Sequence, residues 1–174
     1  MQPSRAMAEA VQIIYSDDGA ALSIWRNVMI SYYREQATEE RMRHFRATQR
    51  ELAKQPDPVG CMIVSSLHSR AKMELTEATR AAIVDAIKAY EHRDLAVAVV
   101  IEARGFLGTT VRALVSGLIL LARPKYPMKI FGTLEEGAPW LIEKMRGGRT
   151  GTTASALIEA VEATGARVPM PAGL

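Results

Sequence analysis

The residues best placed to do chemistry in this chain are threonines and arginines gathered around one glycine-bearing turn. Gly108-Thr109-Thr110 stands between an apolar run, Leu95 to Ile101, and a second one, Val111 to Ala122. A helix starting there would offer free backbone N–H groups and the positive end of its dipole to an anion, with Arg104 and Arg112 adding cations. Thr109 and Thr110 then have three readings: caps of the helix, phosphate acceptors whose added charge a helix start tolerates, or ligands of a small anion. Arg112 is the sole charge between Arg104 and Arg123. Its head must reach solvent, pair with a carboxylate such as Glu102, or face a partner in a dimer.

No other catalytic arrangement is spelled out. His44, His68 and His92 are scattered over different elements, without a His-Glu-x-x-His or a cysteine pair, so no metal site is expected. There is no Gly-x-Ser-x-Gly to anchor a nucleophile. Gly105, Gly108 and Gly117 do not form Gly-x-Gly-x-x-Gly, and Gly147-Gly148-Arg149-Thr150-Gly151 lacks the strand and lysine of a phosphate loop. The expectation is a protein with no catalytic residue, metal or cofactor. Cys61, the lone cysteine, lies in the apolar run Val59 to Val64 and reads as a small core residue of a protein kept in a reducing cytoplasm.

The elements that must position these residues follow from patterning. With 174 residues, 48% of them hydrophobic, the chain can build one domain with a full core. Its 22 basic and 19 acidic residues are interspersed, so nucleic acid is not the expected partner. Arg41, Arg43, Arg46, Arg50 and Lys54 read as the solvated face of a helix, offset by Glu39, Glu40 and Glu51. The apolar stretch Phe106 to Ala122 is shorter than the roughly 20 residues of a bilayer span and carries Arg112, so it reads as a buried helix and no membrane is expected. Residues 1–10 carry no secretory pattern and read as a flexible lead.

Val11 to Tyr15 and Ala21 to Arg26 flank an Asp-Gly turn, which predicts a hairpin whose second strand runs on towards Ile30. Thr38 caps a helix ending at Lys54, with Met42, Phe45 and Leu52 inward. Val59 to Ser65 is a strand, Glu77 to Glu91 a helix opened by Thr76, and Leu95 to Ile101 a strand buried on both faces. The helix Thr109 to Ala122 and the strand Met128 to Phe131 follow. Thr133 and Glu136 then form a capping box for a helix to about Met145, its start displaced or its axis kinked by Pro139. Beyond Gly147 to Gly151, a tail helix covers Ala154 to Ala163. This is an α/β chain with an open mixed sheet of about five strands, an N-terminal hairpin plus parallel central strands, and four helices. The domain spans residues 11–146, and 147–174 form a linker and C-terminal helix.

This order of elements, together with Phe106-Leu107-Gly108-Thr109-Thr110 and the segment Phe131-Gly-Thr-Leu-Glu-Glu-Gly-Ala-Pro-Trp140-Leu141, resembles the SpoIIAA-like group of STAS domains from Val11 to Met145. The aspartate usual before the acceptor is Gly108 here, and the glycine usual after it is Val111, the mark of a divergent member. The resemblance implies a non-enzymatic protein-binding module in bacterial signalling, with Thr109 or Thr110 phosphorylated by a partner kinase. Arg104, Gly108 and Arg112 would then hold an anion or a protein partner, with a homodimer as one arrangement. A rival reading places a lipid or other apolar molecule between sheet and helices, lined by Met62, Met73, Met128 and Trp140.

Overall fold

The structure is a computed structural model and describes residues 10–67, 73–90, 95–145 and 152–170. The expected flexible residues 1–9, the loop bearing His68, Arg70 and Lys72, His92, and the break Gly147 to Gly151 lie outside the described residues. Six strands form one open sheet in the order β1-β2-β3-β4-β5-β6: β1 Gln12–Ser16, β2 Ala20–Trp25, β3 Val28–Tyr33, β4 Val59–Ser65, β5 Leu95–Ile101 and β6 Met128–Phe131. β1, β2 and β3 pair antiparallel, and β3 to β6 pair parallel. The fold class is as expected. The N-terminal hairpin, however, is a three-strand meander.

The extra turn is Arg26-Asn27, which joins β2 to β3 with Trp25 paired to Val28. Arg26 takes φ 54°, the left-handed conformation that tight hairpins demand and that sequence signals through glycine or asparagine at that place. With arginine there, the run from Ala21 to Ile30 reads as one strand. The first turn is closed by a different device from the one expected. The Asp17 carboxylate accepts from the backbone N–H groups of Gly19 and Ala20, each at 2.7 Å, in an Asx turn.

Each parallel step uses one helix: α1 Glu39–Leu52 between β3 and β4, α2 Glu77–Lys88 between β4 and β5, and α3 Gly105–Ala122 between β5 and β6. Right-handed crossovers between successive neighbours put all three on one face. α4 Leu134–Lys144 and α5 Ala154–Gly165 cover the other. The period-two pleat sorts the side chains accordingly. Cys61, Val97, Val99 and Ile101 face α1 to α3, whereas Met62, Val64, Ala98 and Val100 face α4 and α5. α5 belongs to this packing: Leu157 and Val161 are fully buried, and the Thr164 hydroxyl lies 2.7 Å from that of Ser23 on β2.

Threonine side chains cap α1, α2 and α4 as the spacing predicts, at Thr38, Thr76 and Thr133, and Thr153 caps α5 in the same way. The reciprocal bond of the box is shifted by one residue: Glu136 accepts from the N–H of Gly132, just ahead of the cap. Pro139 neither delays nor ends α4, which runs through it from Leu134. α3 differs more. It starts at Gly105, with Arg104 as its first flanking residue and no side-chain cap. It is also not a buried helix: 22% of it is buried, although its length and mean hydropathy of 1.7 would suffice for a membrane span. α3 packs on α2 and on the sheet, and among the described residues nothing covers its outward side.

Candidate functional site

The sheet face under α1, α2 and α3 is incompletely filled. A cavity of about 150 Å³ lies between β4 and β5 as floor and the three helices as walls. Cys61, Val97 and Val99 form the floor, Phe45 and Ala86 stand on α1 and α2, and Val111, Val115 and Leu118 close the α3 side. Small floor residues opposite helices spaced by larger neighbours leave this gap. Met73 and Met128 line it, as the apolar-ligand reading expects. Met62 and Trp140 do not: the pleat turns Met62 to the opposite face, where Trp140 packs 5.4 Å from the Phe131 ring.

Polar groups on the wall are few and specific. The Tyr126 hydroxyl donates to the Ile87 carbonyl at 2.8 Å, and its ring meets Tyr90 edge-on at 6.2 Å. The Tyr90 hydroxyl is buried and has no partner among the described residues. Burial pushes the phenols of Tyr90 and Tyr126 and the thiol of Cys61 well above their ordinary values, and Tyr33 up to about 12. All four are therefore neutral near pH 7. A buried protonated thiol is no nucleophile, so Cys61 shapes the floor without reacting. The interior can hold an uncharged apolar molecule, and the Tyr90 hydroxyl is an O–H donor on its wall.

At the rim, Gln36 holds two segments together. Its side-chain amide accepts from the Glu74 N–H at 2.8 Å and donates to the Glu74 carbonyl at 3.3 Å. Arg41, assigned by sequence to a solvated face, is in fact 8% exposed and ties this rim to the first hairpin. Its guanidinium grips the Asp17 carboxylate through two bonds of 2.8 and 2.9 Å, and also reaches the Gln36 carbonyl and Glu35. Burial alone would raise the Asp17 carboxyl, but hydrogen bonds from Arg41, Tyr15 and Gly19 outweigh it and hold the group at about 2.

The residues singled out by sequence are brought together at the start of α3, but in other roles. Thr109 and Thr110 sit in its second turn, exposed, and donate back to the carbonyls of Gly105 and Phe106 at 3.2 and 2.9 Å. They are not caps. Gly108 lies against the Ala103 carbonyl so closely that a side chain would collide with backbone. Arg104 is exposed, and Arg112 donates to the Ile101 carbonyl at 3.1 Å instead of pairing with Glu102. No group of histidines, cysteines and acids able to hold a metal is found among the described residues. Comparison with known families, with characterised proteins and with solved structures finds no match to this chain.

Proposed function

We propose that this chain is a non-enzymatic binding protein that holds a small uncharged apolar molecule between the sheet and helices α1 to α3. The observation carrying the proposal is the apolar cavity with the unpaired Tyr90 hydroxyl on its wall. An unpaired buried donor is costly, and a ligand with one acceptor relieves it. A cavity of this volume fits a single ring or a short branched chain, roughly ten non-hydrogen atoms. Mass spectrometry of protein purified and sprayed without denaturation is expected to show a retained molecule, absent from a Val99→Phe variant whose added ring fills the cavity. If the wild-type mass is bare, and no single-ring or short acyl compound binds by ligand-observed NMR, the proposal fails.

A second reading is the STAS-type protein-binding module, regulated at Thr109 or Thr110 by a kinase. What favours it is that both hydroxyls stand exposed on an α3 face that also carries Phe106, itself 88% exposed. Phosphorylation would take each hydroxyl away from its carbonyl and place a doubly charged group beside Arg104 and Arg112. Intact-mass analysis of protein taken from its own cells decides it: a phosphate mapped to either threonine supports the switch, and unmodified protein under all growth conditions tried removes it.

A further inference from the structure

The outward side of α3 is self-complementary. Phe106, Thr109, Thr110, Ala113, Ser116, Gly117, Leu120 and Leu121 recur at spacings of three and four and are all exposed. The bulky members sit at the two ends: Phe106 is 88% exposed, Leu120 75% and Leu121 65%. The middle is small throughout, and a side chain at Gly117 would meet nothing. We infer that this face joins a second copy of the chain, α3 against α3, antiparallel about a two-fold axis at Ala113.

The pairing follows from that axis. Phe106 meets Leu120 of the second copy, Thr109 meets Gly117, Thr110 meets Ser116, and Leu121 lies over Gly105, which is likewise open space. Phe106 faces Leu120 towards the ends, Leu121 fills the space over Gly105, and small faces small at the centre, so the axes can approach to about 8 Å. A two-fold contact of this kind uses one patch twice, as closed dimers do. Arg123, just past the end of α3, comes opposite Ala103 of the second copy, between its Glu102 and its Arg104, so Glu102 stands between two guanidinium groups, and the opposite ends of the helix dipoles lie together. Arg112, the only charge within α3, is held by the Ile101 carbonyl, off the contact face.

A lipid surface fits less well, because threonines and a serine occupy the middle of the face that would have to insert.

Sedimentation equilibrium over a wide concentration range tests the inference, with an expected limiting mass twice the 19.1 kDa of the chain. Ala113→Arg puts two cations across the axis at an exposed position and is expected to leave a folded monomer, with circular dichroism unchanged. Ala113→Cys is expected to give a disulfide-linked dimer on mild oxidation while the wild type, with Cys61 buried, gives none. A wild-type monomer at every concentration overturns the inference, as does a dimer indifferent to Ala113→Arg. A monomer that floats with phosphatidylserine vesicles overturns it too and assigns the face to a lipid surface.

Discussion

Asp17 carries five interactions through one carboxylate: two bonds from Arg41, one from the Tyr15 hydroxyl at 2.7 Å and two from backbone N–H groups. The Tyr15 phenol is pushed to about 12, first by that hydrogen bond and then by burial, so it remains a donor over the whole working range. The carboxyl lies at about 2 in the folded protein against an ordinary 3.8. A depressed folded value means that its contribution is complete above about pH 4 and is lost as pH falls towards 2. Its size is about 1 kcal/mol once the partial exposure of Asp17 is allowed for. Urea unfolding should therefore show Asp17→Asn less stable than wild type at neutral pH, with the gap closing by about pH 2. A gap that persists unchanged in acid would show that the carboxylate charge is not the cause.

Tyr90 gives the opposite kind of residue effect. Tyr90→Phe removes a donor that the ligand-free protein leaves unpaired, so the variant should be more stable by about 1 kcal/mol while binding an acceptor-bearing ligand several-fold more weakly. Thermal unfolding of ligand-free protein and a titration of the bound molecule read the two halves. Loss of stability on Tyr90→Phe would mean the hydroxyl is satisfied in solution.

At the scale of elements, α3 shows how a helix boundary is decided by what it packs on. The pattern places its start at the threonines, because threonine is a good cap and glycine a common break. The chain begins the helix four residues earlier, at Gly105, with φ 65°, and lays Gly108 directly on the Ala103 carbonyl at the end of β5. Gly108→Ala forces backbone to move and is expected to cost about 2 kcal/mol in thermal or chemical unfolding. Equal stability would mean that the start of α3 sits further from β5. The same geometry explains why an aspartate in place of Gly108 does not suit this chain. It also turns Thr109 and Thr110 from caps into exposed side chains bonded to the preceding turn.

For the whole molecule, the sheet is covered by three helices on one face and two on the other, and the cavity lies under the first set. Removing α5 by ending the chain at Gly151 would uncover Trp25, Ile30 and the other residues that Leu157 and Val161 bury. Each of those two side chains contributes on the order of 2 kcal/mol by burial, so the truncated chain is expected to be insoluble or to lose its cooperative transition by circular dichroism. A truncated protein that melts as sharply as the full chain would show that α5 is an appendage.

The α/β class, the order of the five helices and the caps at Thr38, Thr76 and Thr133 were legible in the sequence, because each depends on contacts a few residues apart: period-two and period-3.6 patterning, a cap and its third neighbour, a glycine-bearing turn. The Arg26-Asn27 turn was not, since an arginine at positive φ carries no local signature and is held in place by the strands it joins. Nor could spacing show that Arg41 leaves the basic face of its helix, because its partner Asp17 lies 24 residues earlier on another element. The cavity, the unpaired hydroxyl of Tyr90 and the exposure of α3 arise where elements distant in the chain meet imperfectly. Those are properties of the packing, and only the tertiary structure decides them.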